Sequence, residues 1–226
     1  MTGAGSGGRP SGNAGAGSGA GVGRGAGAGL TASMLLSKLG VDHMLVSAFP
    51  TTSTLPKAHV LNQRAMEILE DAGVADAVAA HGTPPGQMEA TAYYAGLAGP
   101  SAEYGRRIAK LECWGAGGED ENWRAASAWT QQNLPQIRLE PLLKGHAERL
   151  APGRIRFGHE LTHIDQDAEF VTATIREHDH DREYAVRCRW LIAADGGRTI
   201  PALLGIEHVG LGVVTRTATL HVSADF

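Results

Sequence analysis

Gly23-Arg24-Gly25-Ala26-Gly27-Ala28-Gly29-Leu30-Thr31-Ala32-Ser33-Met34-Leu35-Leu36 runs from a glycine-rich turn straight into a helix. Leu30, Met34, Leu35 and Leu39 recur at helical spacing and give the segment one apolar face. Gly40 falls where the carboxyl end of a helix accepts a left-handed residue. A glycine turn that opens a helix is a ready anion site. Free N–H groups and the positive helix end face whatever approaches, and glycine lets a pyrophosphate come close to the backbone. The spacing G-x-G-x-x-G/A of a dinucleotide turn is met by Gly23, Gly25 and Ala28, and again by Gly27, Gly29 and Ala32. So many registers fit because the whole amino-terminal stretch is rich in glycine, and a Gly/Ala/Ser tract ending at a helix fits the same residues.

On the amino-terminal side a dinucleotide turn requires a buried strand, normally a run of Val, Ile and Leu. Met1 to Gly21 contains no Val, Ile, Leu, Phe, Tyr or Trp. The expectation is therefore a disordered tail over residues 1–22 and no first strand, because too little apolar surface offsets the cost of ordering. On the carboxyl side, His43 to Val46 is a short strand. The position after it, where an acid would chelate a ribose diol, is Ser47. Serine offers a single hydroxyl there.

The chain has 226 residues, enough for one substantial domain or two small ones, and a net charge of -4. It shows no basic stripe for nucleic acid and no apolar run long enough for a membrane span or a secretion signal. Cys113 and Cys188 stand far apart without metal-ligand spacing, which suits thiols in a reducing cytoplasm. His178 and His180 form one close pair, inside a charged stretch that reads as the solvated loop of a hairpin.

Farther along, a polar loop from Pro50 to Pro56 leads to Lys57-Ala58-His59-Val60-Leu61-Asn62-Gln63-Arg64 and a helix ending near Gly73. Met88 to Tyr94 reads as extended. Trp114, Trp123 and Trp129 stand among Gly, Glu and Asp, as aromatics packed under a loop do. Asn133-Leu134-Pro135-Gln136 opens a helix to about Leu150, with Pro141 assigned to its first turn. Phe170 to Ile175 and Tyr184 to Trp190 are β-rich runs around a polar turn, an antiparallel hairpin. Leu191-Ile192-Ala193-Ala194 then enters Asp195-Gly196-Gly197-Arg198, a buried strand ending in an acid and two glycines. That is where α/β folds place ligand contacts, and it is equally the form of an Asp-Gly turn. A short helix from Pro201 to Gly205 and an alternating strand from Val213 to Val222 complete the reading.

Together these segments resemble the class A flavoprotein aromatic hydroxylases, of the p-hydroxybenzoate and phenol hydroxylase type and close to the chlorophenol monooxygenases. The likeness runs from about Gly27 to Phe226 and rests on three stretches: Pro56 to Arg64, Asn133 to Pro141, and Leu191 to Arg198. It implies an α/β fold, a Rossmann-like FAD domain over residues 23–200 with an inserted antiparallel β-hairpin. Residues 81–132 would partly face the substrate, and 201–226 would begin a mixed-sheet substrate domain, the whole being incomplete at both ends. It implies FAD and NADPH as cofactors, and hydroxylation of a small phenolic compound with O2. By resemblance Gly25, Gly27 and Gly29 would lie at the FAD pyrophosphate turn, with Arg24 and Ala26 where the family has its first two glycines. Ser47 would replace a ribose-binding Glu, and Lys57 a basic residue near the phosphates. Gln136 would contact the flavin, and Asp195 would serve flavin and nicotinamide. His59 stands where phenol hydroxylases often carry an Asp near the phenol hydroxyl, and could act as base. The missing first strand, together with the absence of the family's second flavin motif from these residues, implies weak or no flavin retention by this chain alone. Two other readings remain open: a non-catalytic remnant or partial subunit, and a plain NAD(P)-binding oxidoreductase. The hairpin disfavours the second, since a doubly wound sheet alternates strands with helices.

Overall fold

The computed structural model describes residues 17–23, 26–96, 99–197, 199–216 and 223. The chain opens with β1 (Gly17–Gly23), α1 (Ala26–Lys38) and β2 (His43–Ser47). A two-residue strand, β3 (Val60–Leu61), precedes α2 (Gln63–Asp71) and α3 (Ala75–His81). The ribbon β4 (Ala90–Tyr94) and β5 (Arg107–Glu112) is followed by a short turn, α4 (Trp114–Gly118), and by α5 (Glu121–Ala126). Then come β6 (Gln132–Asn133), α6 (Gln136–Leu150) and β7 (Ile155–Phe157). A meander of β8 (His159–Gln166), β9 (Val171–Glu177) and β10 (Arg182–Ala194) leads to α7 (Thr199–Leu203).

Six strands form one mixed sheet in the order β7-β2-β1-β10-β9-β8. β1 lies inside it, parallel to β2 on one side and to β10 on the other. This corrects two sequence expectations: a first strand exists, and residues 17–22 are part of it rather than of a disordered tail. The segment Gly-Ser-Gly-Ala-Gly-Val-Gly brings almost no apolar side chain. A strand paired along both edges, however, places its N–H and C=O groups in two ladders that require none. The pattern of apolar residues was the wrong signal for a strand held by its backbone.

The hairpin also takes a different form. β10 is one strand of 13 residues. From Arg182 to Cys188 it pairs antiparallel with β9, and from Cys188 to Ala194 parallel with β1. The hairpin is therefore an extension of the cofactor-type sheet, and β8 widens it to a three-stranded meander. Two smaller expectations fail. Pro141 lies in the interior of α6, not its first turn. Val213 to Arg216 forms no strand, and the remainder of that expected strand lies outside the described residues. Gly25 and Arg198 also lie outside them.

Two apolar clusters hold the sheet. On one face Leu30 and Met34 of α1 pack with Met66 and Leu69 of α2, Val78 of α3 and Leu143 of α6. On the other, Val46 joins Leu161, Ala173, Ile175 and Ile200. Successive residues of a strand point to opposite faces, which is why Leu45 can meet α1 while Val46 joins the second cluster. Ser33 of α1 and His43 of β2 form a buried pair, Oγ to Nε2 at 2.7 Å. His43 Nδ1 lies 2.9 Å from the Val41 carbonyl, so Nδ1 carries the proton and Nε2 accepts from the serine.

The approach of α1 to the sheet is set by Gly29. A Cβ there would sit 2.9 Å from Leu45 Cδ1 and 3.8 Å from the Ala194 methyl, whereas one at Gly27 meets nothing within 4 Å. Gly29→Val is therefore expected to lower stability by about 1–3 kcal/mol through overpacking. Gly27→Ala should raise it by up to about 1 kcal/mol through helix propensity. Urea denaturation of the two variants separates the positions.

Burial depresses the pKa of His159, whose Nδ1 lies 2.9 Å from the Tyr184 hydroxyl, with the Arg156 and Arg182 guanidiniums acting in the same direction. Burial, and then Arg149, depress His146 likewise. A histidine with a lowered folded pKa takes its proton first in the unfolded chain. Its native environment is accommodated above the unfolded pKa of about 6.5, and stability falls as the pH drops below it. Denaturation midpoints at pH 7.5 and 5.5 should show this decline, and His159→Gln should reduce it.

Candidate functional site

The parallel strands β1 and β2 end in register, Gly23 opposite Ser47, and β7 ends beside them with Phe157 opposite Ser47. The amino end of α1 rises from the same edge. A cavity of about 310 Å³ opens there, lined by Ala26, Ser47, Lys57, Gln136, Glu140 and the 49–55 loop. The carboxyl edge of parallel strands beside a helix amino end is where open α/β sheets take their ligands.

Lys57 and Gln136 reach this cavity because two distant segments zip together. β3 pairs with β6, and the ladder continues as Leu134 N–H donates to His59 O and Gln136 N–H to Ala58 O, at 2.8 and 2.9 Å. Asn62 then caps α2 by accepting from Ala65 N–H at 2.8 Å, which turns the chain away directly after the crossing. Lys57 is exposed and among the described residues forms no ion pair, so its charge is available to an incoming anion. Ser47 is buried; its Oγ accepts from Phe49 N–H in a long contact of 3.4 Å.

Three of the residues expected from the sequence thus meet at one cavity: Ser47, Lys57 and Gln136. The others stand elsewhere. Gly27 and Gly29 lie inside α1 rather than in the turn before it. Gly29 packs on β2, and Gly27 lines an apolar groove shared with Ile68 of α2 and Leu143 of α6. His59 is exposed, with Nδ1 3.0 Å from Asn133 Oδ1. Asp195 follows β10 on the far side of β1 and borders a second, larger cavity of about 1020 Å³ between the meander and α7. Its carboxylate accepts from Gly197, Thr199 and Ile200 N–H at 3.0, 2.5 and 2.9 Å, so it holds the amino end of α7.

One residue of the cavity escaped the sequence reading. Glu140 is 1 % exposed. Its Oε1 accepts from Ala26 N–H at 3.0 Å and from Gln136 Nε2, and its Oε2 from Ser53 N–H at 2.6 Å. The signal was present: Glu140 sits on the stripe of α6 that also carries Leu143 and Ala147, an acid at core spacing. Trp123, by contrast, is an internal partner: its Nε1 donates to Gln131 Oε1 at 2.8 Å, and the ring backs Gly115 in a left-handed turn.

The family model described as the FAD binding domain matches residues 22–226 of this geometry. The chain belongs to that family. Among relatives of this FAD-binding domain, 2,4-dichlorophenol 6-monooxygenase of Delftia acidovorans is 36% identical over 181 residues, 80% of this chain and 29% of that protein. Phenol 2-monooxygenase of Pseudomonas sp. (strain EST1001) is 34% identical over 170 residues, 75% of this chain and 27% of that one. The FAD-binding domain thus spans less than a third of the length of these relatives. Its fold matches the crystal structure of the flavin-dependent monooxygenase PieE in complex with FAD and substrate, with a TM-score of 0.77, 40% identity, and 85% of this chain against 32% of that chain. The Rossmann-like α/β architecture expected from the sequence is thereby shown, as is kinship to aromatic monooxygenases. Among the described residues no helix is long and apolar enough to cross a membrane.

Because the Asp195 oxygens bind the turn that follows, Asp195→Ala should cost about 1–2 kcal/mol, the size of a lost helix cap. The measurement is the urea midpoint in the absence of any flavin.

Proposed function

We propose that this chain is the FAD-binding portion of an NADPH- and O2-dependent monooxygenase acting on a small phenolic compound. The reading is supported above all by the convergence of Ser47, Lys57 and Gln136 on one cavity at the amino end of α1, in a chain similar to dichlorophenol and phenol monooxygenases. Those residue types fit FAD. Lys57 would place a cation against the pyrophosphate. Gln136 would meet the flavin end, and Ser47 would offer one hydrogen bond to a ribose hydroxyl. Lys57, which forms no ion pair among the described residues, supports an anionic occupant of this cavity.

Bound flavin would supply the oxygen activation, with hydride from the nicotinamide; the protein would supply position and a proton path. His59 is the base in this reading. Its Nδ1 hydrogen points to Asn133 Oδ1, which leaves Nε2 as the acceptor for a phenol proton. Asp195 would act by holding the start of α7 beside the end of β1. Two thiols outside any disulfide suit a reducing cytoplasm, where we place the protein. The observation that favours the second reading, a non-catalytic remnant, is Ser47: a buried hydroxyl stands where a carboxylate would chelate the ribose.

FAD titration of the purified chain, followed by flavin fluorescence, tests the proposal. Saturable quenching that is lost on desalting is the expected result. Lys57→Gln should weaken it about 10- to 150-fold, the range of one hydrogen bond to a charged group, and lessen its dependence on salt. Absence of quenching at any FAD concentration would assign the chain to the remnant reading.

A further inference from the structure

Glu140 joins three parts of the chain that are far apart in sequence. Its partners are the first residue of α1, 114 positions away, the backbone of the 50–56 loop at Ser53, 87 positions away, and the Gln136 side chain one helical turn back. All three donors are neutral. No cation among the described residues pairs with the carboxylate, although Lys57 lines the same cavity. A buried carboxylate is costly unless its oxygens are satisfied, and here each is taken up by an N–H.

The chemistry of the acceptor decides the orientation of its neighbour. A carboxylate accepts and does not donate, whereas an amide has one end of each kind. Gln136 must therefore turn its NH2 toward Glu140, which leaves its carbonyl Oε1 as the atom offered to the cavity.

We propose that Glu140 is the positioning residue of this cavity: it fixes Gln136 with Oε1 toward the ligand while tying the amino end of α1 and the 50–56 loop to α6. The cavity then selects a ligand that presents a hydrogen-bond donor to Gln136, such as a ribityl hydroxyl or a ring N–H of a flavin dinucleotide. The identity of that ligand rests on the FAD reading above; the orientation of the amide does not.

The substitution that isolates this role is Glu140→Gln, which keeps the size and removes the acceptor-only character. One amide oxygen then faces three donors, and Gln136 is free to turn over. The first measurement needs no flavin. In ¹⁵N-labelled chain, exchange of the Ala26 and Ser53 amide hydrogens should quicken about tenfold in E140Q, the loss of one net hydrogen bond at each site. The Gln136 side-chain NH2 resonances should move toward those of an exposed amide. Unchanged exchange and unchanged resonances would overturn the proposal, whether or not the chain binds FAD.

The second measurement is FAD affinity in a double-mutant cycle. E140Q should weaken FAD about 5- to 10-fold in the wild-type background and less than twofold in the Gln136→Ala background, since coupled residues are not additive. Equal losses in both backgrounds would show a general structural role and overturn the orientation claim. A wild-type chain that binds no FAD would remove the FAD reading alone, with the exchange experiment still deciding the clamp. Should E140Q not fold, Glu140→Asp takes its place. Its acceptor-only group is one methylene shorter, so it should release the Ala26 and Ser53 amides yet keep the Gln136 NH2 signature. Loss of that signature in E140D would overturn the proposal.

Discussion

The whole arrangement hangs on two backbone ladders along β1. This strand of glycine, serine, alanine and one valine contributes hardly any side-chain surface, and its place is set by pairing with β2 on one edge and β10 on the other. Those neighbours carry the apolar residues that β1 lacks: Leu45 and Val46 from β2, Leu191 from β10. The register of the two ladders brings Gly23, Ser47 and Ala194 level at the carboxyl edge. α1 then settles close over the sheet because Gly29 leaves room for Leu45. The cavity exists where these three placements meet.

Its electrostatics are economical. Lys57 brings an exposed positive charge. Glu140 brings a fixed negative charge that faces N–H groups from three elements. Part of the positive character at the amino end of α1 is thus already engaged by an internal carboxylate.

Much of this was legible in the sequence, and the reasons for the rest are physical. α1, β2 and α6 follow from apolar periodicity, because their side chains make their contacts. Ser47, Lys57 and Gln136 were legible through motif position, and the structure brings them together. β1 was not, because periodicity reports side chains and a glycine strand is held by its main chain. Several glycine registers fit the turn, so the sequence does not separate Gly27 and Gly29 of α1 from the residues before it; the closeness of Leu45 to Gly29 gives that glycine a packing role. Glu140 lies in one of the stretches that carry the resemblance, yet the sequence assigns it no role, because its partners stand 87 and 114 positions away. Asp195 is legible as the end of a strand, and both meanings of that position fit the residues; its carboxylate accepts from the backbone of the turn that follows.

β10 carries one more implication. A single run of 13 residues is gripped at its first half by β9 and at its second half by β1. Sliding it by one residue would turn every side chain to the opposite face in both halves at once. It would also drag Asp195 and the start of α7 away from the end of β1. The meander therefore fixes the register of β10 against β1, and with it the position of Asp195 and the start of α7.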